Sequence, residues 1–367
     1  MPPKRFSQCI IHIGTEKTGS KAIQDYLNRN RTALTRAKIL YPKPLGDAQL
    51  SQWQFVAAVH PHPWRQDIGR SLNIFDEDSR AAFKSNLIHD LEKQFHQYPQ
   101  TETLILSSEH FQSRLPDAQS ILDLKRLLSR WVNRFWIVVY FRRQDQFAVS
   151  LLSTRIKSFV PMKKTELQQE LGAPRRYFDY LALFDLWGSV FGRDAILARL
   201  YQQDHWPNND LIQDFCATAG IPHNGEETQR MNVSLSRKGF QFLMAVNNLF
   251  PITPGDHTND MRRRLVDAVS ENFPGKYYPI TQDQAQTFYE QFDESNEQLR
   301  QRAFENLPYP LFDDDFSEYP TSPDSEFPEY SEAVEIAVSL WRQKLDHVNS
   351  KRNPIQRIKS IFPWLNK

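Results

Sequence analysis

The stretch Gly14-Thr15-Glu16-Lys17-Thr18-Gly19-Ser20 sets two glycines, three hydroxyl side chains and a lysine between the apolar run Cys9–Ile13 and an amphipathic segment starting at Ser20. A strand that feeds a short glycine loop and then a helix aims backbone N–H groups and a helix N-terminus at one spot, which suits a phosphate or a sulfate. Gly14 and Gly19 permit positive φ and a close approach of backbone to ligand. Lys17 adds a mobile cation, and Thr18 and Ser20 add hydroxyl donors. Further on, Ile137-Val138-Val139-Tyr140-Phe141 ends in Arg142-Arg143-Gln144-Asp145, with Ser150 on the helix expected to follow. Guanidinium binds phosphate oxygens two at a time, and a serine hydroxyl adds another donor. Either arginine can turn toward an anion; the plainer reading is that the arginines cap the strand and pair with Asp145. A third run, Thr103–Leu106, leads into Ser107-Ser108-Glu109-His110, where a carboxylate and an imidazole offer general-base chemistry.

The glycine loop departs from the Walker A pattern, which places Lys directly after the second glycine and then Ser or Thr. Here Gly19 is followed by Ser20 and only then Lys21, and the cation inside the loop is Lys17. The order Lys17-Thr18-Gly19-Ser20 resembles the 5′-phosphosulfate-binding loop of the bacterial sulfotransferases. Arg142 at a strand end with Ser150 on the next helix resembles the 3′-phosphate-binding element of the same family. Ile39-Leu40-Tyr41-Pro42, Leu106 to Phe111 and Asn232 to Ser236 share a more local likeness.

That resemblance implies a P-loop-like α/β fold and in-line transfer of a sulfuryl group from 3′-phosphoadenosine-5′-phosphosulfate (PAPS) to a hydroxyl or amine, with no metal. Gly14, Thr15, Glu16, Lys17, Thr18, Gly19 and Ser20 would then cradle the phosphosulfate, and Arg142 and Ser150 would take the 3′-phosphate. Lys17 would offset charge on the leaving phosphate. Glu109, with His110 second, would take the acceptor's proton. Relatives carrying these motifs often sulfate carbohydrates, so a glycan or glycolipid is the acceptor it implies. A P-loop kinase or other NTPase is the alternative enzyme class, and a nucleotide-binding protein without catalysis is a third.

Other candidates carry less chemistry. Glu16 would set a negative charge beside an anionic donor, so a solvent-facing or lysine-paired place suits it better than a base. His60 and His62 sit among prolines without a carboxylate or cysteine at ligand spacing, which fits an irregular surface loop better than a metal site and leaves acceptor binding as the alternative. Arg237-Lys238-Gly239 resembles a phosphate-contacting tripeptide of cytosolic sulfotransferases, but Ser236 before it can serve simply as a helix N-cap.

The elements that must hold these residues alternate. Short apolar runs at Cys9–Ile13, Lys38–Tyr41, Thr103–Leu106, Phe135–Tyr140 and Ile196–Leu200 read as strands, with helices between them at about 20–30, 79–95, 119–130 and 145–157. Apolar strands alternating with helices predict a central parallel sheet flanked by helices. Beyond residue 205 the strand signal fades, and helices are expected at about 210–219, 237–249, 260–271, 282–304 and 331–348. We therefore expect an α/β core over 1–205 and a helical C-terminal extension over 206–367 that packs on it as part of one structural unit.

The chain has 367 residues, with 45 Lys and Arg against 44 Asp and Glu. A net charge of +1 gives no general attraction for nucleic acid. Two cysteines in apolar settings, Cys9 and Cys216, fit neither a disulfide framework nor a thiolate metal site. Without a signal-peptide pattern or an apolar run of about 18 residues, a cytoplasmic protein is expected. The tail over 351–367 mixes basic and apolar residues, which suits a helix docked on the core or a weak contact with an anionic membrane surface.

Overall fold

Five strands form one sheet in the order β2-β3-β1-β4-β5, every neighbouring pair parallel. The structure, a computed structural model, describes residues 4–46, 51–162, 177–223, 225, 234–250, 259–325 and 327–352. The chain runs β1 (Phe6–His12), α1 (Ser20–Arg29), α2 (Arg31–Arg36), β2 (Ile39–Leu40), α3 (Gln54–Val59), α4 (Asp67–Ser71), α5 (Glu77–Gln97), β3 (Thr103–Ser107), α6 (His110–Arg114), α7 (Ala118–Leu128), β4 (Val132–Phe141) and α8 (Gln144–Lys157). It continues through α9 (Tyr180–Phe191), β5 (Ile196–Leu200), α10 (Leu211–Ala219), α11 (Arg237–Leu249), α12 (Asn259–Asn272), α13 (Gln282–Glu290), α14 (Asp293–Ala303) and α15 (Tyr330–Arg352). The expected architecture of a parallel sheet flanked by helices is therefore present.

The molecule divides into two units, the first comprising Met1–Phe147, Ala173–Met231 and Phe288–Asp314, the second Ala148–Gly172, Asn232–Thr287 and Asp315–Lys367. The first unit holds the sheet. Because side chains alternate along a strand, Ile10, Val138 and Tyr140 face a core completed by Ile23 and Leu27 of α1 and by Ile212, Phe215 and Cys216 of α10. The opposite face of β4 carries Phe141, whose ring lies 4.9 Å from that of Tyr180 on α9. Helix α1 is amphipathic, burying Ser20, Ile23, Gln24, Tyr26 and Leu27. Asp210 caps α10 by accepting from Ile212 N–H at 2.6 Å and Gln213 N–H at 3.1 Å. Both cysteines are buried and free.

In the second unit α11 is tied to α15 by Arg237–Glu332 and Lys238–Glu335 ion pairs. Gly239 faces Val269 and Phe273, where an added Cβ would come within 3.3 Å of each. Ser236 precedes α11 but makes no capping bond; its hydroxyl is buried without a partner among the described residues.

Two differences from the periodicity have physical causes. The helix expected over 282–304 is two, because the chain breaks at Phe292, which lies 3 % exposed. Its ring packs 5.4 Å from Phe288 and 6.0 Å from Phe178, and Asp293 and Glu294 start α14 at the end where acidic groups are favoured. Helix α9, Tyr-Leu-Ala-Leu-Phe-Asp-Leu-Trp-Gly-Ser-Val-Phe, was hidden because it is apolar on most of its faces and shows no stripe. Most of the basic tail and Asn232-Val233 of the local likeness lie outside the described residues.

Candidate active site

The carboxyl ends of β3, β1 and β4 stand side by side, with His12 opposite Ser107 on one flank and Val138 on the other. Chain order reverses around β1, and in such sheets the crevice beyond the strand ends at this point is where ligands bind. The three segments singled out in the sequence, Gly14–Ser20, Ser107–His110 and Arg142–Arg143, all leave the sheet here.

The glycine loop is braced before it turns. Ile13 N–H donates to Val138 O at 3.0 Å, Tyr140 N–H to Gly14 O at 2.8 Å and Thr15 N–H to Tyr140 O at 3.2 Å, so the loop begins as an extension of the β1–β4 ladder. Thr15 Oγ1 also donates to Tyr140 O. Thr18 Oγ1 and Ser20 Oγ both donate to Thr15 O, at 2.6 and 3.2 Å. Those two hydroxyls therefore spend their protons inside the loop and hold its shape. The chain then passes through positive φ at Lys17 (63°) and Gly19 (77°) into α1. A side chain at Gly19 would be strained by the positive φ, and its Cβ, 2.2 Å from Leu211 Cδ2, would also have to displace that leucine. The N–H groups of Glu16, Gly19, Ser20 and Lys21 meet no acceptor among the described residues. That is the unsatisfied donor set of a helix N-terminus, aimed out of a loop.

The two arginines separate cleanly. Arg143 is 2 % exposed and pairs with the fully buried Asp145 through Nε–Oδ1 at 2.8 Å and Nη2–Oδ2 at 2.9 Å. Its Nη1 adds Asp313, by backbone and by carboxylate. Its guanidinium is a structural brace. Arg142 instead reaches the glycine loop, Nη1 donating to Lys17 O at 3.1 Å, with its guanidinium 5.5 Å from the Tyr201 ring. Arg142 Nε is buried without a hydrogen-bond partner among the described residues. Tyr180 Oη donates to Arg142 O at 2.6 Å and fixes the backbone that carries it. Ser150 lies further along α8, in the segment assigned to the second unit.

Glu109 stands at the third strand end. Gly14 packs on its backbone, so close that an added Cβ would sit 3.3 Å from Glu109 Cα. Its carboxylate accepts from Gln24 Nε2 at 2.7 Å and from Ser51 Oγ at 3.3 Å, both on Oε2. It precedes α6 without capping it by its side chain. Burial pushes the Glu109 carboxyl up, but His110, Gln24, a backbone N–H and His12 together outweigh burial and hold it below the usual carboxylate range. His110 stacks on Trp53, ring centroids 5.7 Å apart, and its Nδ1 is buried without a partner among the described residues. His12 is fully buried against Phe215 and Tyr140, with Nδ1 2.8 Å from Ser107 Oγ. Burial lowers its pKa to about 4, so it is neutral near pH 7.

The remaining candidates fall elsewhere. Arg237 and Lys238 are engaged by the glutamates of α15 within the second unit. His60 is buried with Nδ1 accepting from His62 N–H, and no group of three metal-binding side chains occurs among the described residues. Sequence reasoning missed Gln24 and Ser51. The signal for Gln24 was present: it is a polar residue on the apolar face of α1, beside Ile23 and Leu27.

No family model matches the chain. An uncharacterized protein of Archaeoglobus fulgidus is 28% identical to it over 265 residues, covering 72% of this chain and 70% of the relative. Among solved structures, the crystal structure of a sulfotransferase from Alicyclobacillus acidocaldarius is similar with a TM-score of 0.35 and 14% identity, covering 67% of this chain and 93% of that one.

Proposed function

We propose that this chain is a sulfotransferase that uses PAPS and sulfates a hydroxyl or amine, on a carbohydrate or glycolipid. The observation that carries this is the hydrogen bond from Arg142 to the backbone of Lys17, which sets a strand-end arginine beside a glycine loop with unsatisfied N–H groups. Two neighbouring anion sites, one of amides and one of guanidinium, suit a nucleotide with phosphates at both its 5′ and 3′ positions. Arg142 Nε, buried and unpartnered, fits such an anion. When bound, the donor supplies an activated sulfuryl group on a phosphate leaving group.

The chain's own residues then divide the work. Loop amides from Glu16 to Lys21 hold the 5′ anion, and Lys17 stabilises charge developing on it. Arg142 holds the 3′-phosphate. Glu109 accepts the acceptor's proton, with His110 the second candidate; its lowered pKa keeps it ionised but makes it a weak base, so it depends on an acceptor held close to it. A P-loop NTPase is less well supported, because Lys21 is displaced from the Walker position and exposed, and β1, β3 and β4 end without an aspartate for Mg²⁺.

Incubation with ³⁵S-labelled PAPS and a panel of glycans is expected to label an acceptor. Glu109→Gln should keep affinity for 3′-phosphoadenosine-5′-phosphate (PAP) within about threefold and lose transfer by about 10²- to 10⁴-fold. Transfer at the wild-type rate in Glu109→Gln would remove it from the mechanism.

A further inference from the structure

Gln24 is 1 % exposed on the apolar face of α1, where a leucine would pack without the cost of burying an amide. A buried amide at such a place needs a polar partner, and its partner is the Glu109 carboxylate at 2.7 Å. Ser51 reaches the same oxygen, and Ser51 Oγ lies 2.8 Å from Ser108 Oγ, which itself accepts from His110 N–H at 3.2 Å. A carboxylate only accepts, so Ser51 donates to Glu109, and Ser108, which accepts from His110 N–H, donates in turn to Ser51. Both side-chain donors converge on Oε2, leaving Oε1 without a side-chain donor among the described residues.

We infer that Gln24 is a positioning residue: it anchors Glu109 by Oε2 so that Oε1 meets the acceptor's proton, and it ties that carboxylate to the helix whose first turn forms the anion cradle. This rests on the sulfotransferase reading above. One short helix then sets the distance between donor and base, since Gly19 and Gln24 lie little more than one turn apart on it. The charged and titratable groups facing Glu109 are His110 on α6, His12 on β1 and Tyr41 after β2, with Arg31 stacked over Tyr41 at 4.4 Å. Against that fixed background, Gln24 is the neutral donor that favours the ionised carboxylate, consistent with the lowered pKa.

The test is a carboxyl ¹³C titration of the full chain carrying labelled glutamate, with the Glu109 signal identified by its loss in Glu109→Gln. Removing a donor to the charged form raises a carboxyl pKa, so Gln24→Met is expected to move the midpoint up by about one pH unit. Ser51→Ala should move it the same way by less, and serves if Gln24→Met does not fold. In the labelled-transfer assay the acid limb of the pH profile should rise by the same amount, with PAP affinity unchanged. An unmoved midpoint in both variants overturns the inference, as does a moved midpoint with an unmoved acid limb. Failure of the wild-type chain to bind PAP sinks the sulfotransferase reading instead, and the titration still decides whether Gln24 holds the carboxylate.

Discussion

Lys17→Met is expected to lower the transfer rate by about 10²- to 10³-fold, the usual effect of deleting one donor aimed at developing charge. Methionine is the informative replacement because Lys17 sits at φ 63°. It keeps the Cβ and an unbranched chain that matches lysine as far as Cε, so it carries the same backbone strain and removes chiefly the ammonium group. The brace of the loop does not depend on that ammonium: Thr15, Thr18 and Ser20 hold it through Tyr140 O and Thr15 O. PAP affinity should consequently fall much less than the rate. Single-turnover kinetics separate the two, and a transfer rate within about threefold of wild type would remove Lys17 from its role.

Arg143→Ala, one residue from the proposed phosphate ligand, should instead act on stability. It removes the guanidinium that pairs with the fully buried Asp145, and breaking a buried ion pair by removing one partner costs about 3–5 kcal/mol. A urea denaturation midpoint well below wild type is expected. Arg142→Ala should leave that midpoint close to wild type, because its guanidinium makes a single protein hydrogen bond among the described residues and faces the loop. Loss of stability of less than about 1 kcal/mol in Arg143→Ala would contradict the assigned brace.

β1, β2, β3 and the apolar part of β4 could be read from the sequence because each is an apolar run closed within a few residues by Gly, Pro or charge, and because parallel strands buried on both faces carry no polar alternation. β5, at the sheet edge, is half-buried and was legible only as a short apolar run around Arg199. The loop was legible for a related reason: its glycines are demanded by positive φ and by Leu211, and backbone requirements of that kind leave a mark on composition. Three things were not. Nothing in Arg142-Arg143 says which guanidinium turns to the loop, since that depends on Asp145 and on Asp313, far away in the chain. Thr18 and Ser20 look like ligand donors until Thr15 O is seen between them. The setting of Glu109 needs Gln24 and Ser51, brought together from α1 and from the segment before α3 only by the fold.

Calorimetry with PAP against ATP and Mg²⁺ tests whether the site is built for a nucleotide with a separate 3′-phosphate. The wild-type chain is expected to bind PAP in preference to ATP with Mg²⁺. Arg142→Ala is expected to weaken PAP by about 10- to 100-fold, the value of hydrogen bonds to a charged group. Preference for ATP with Mg²⁺, or PAP affinity unchanged in Arg142→Ala, would rule such a site out.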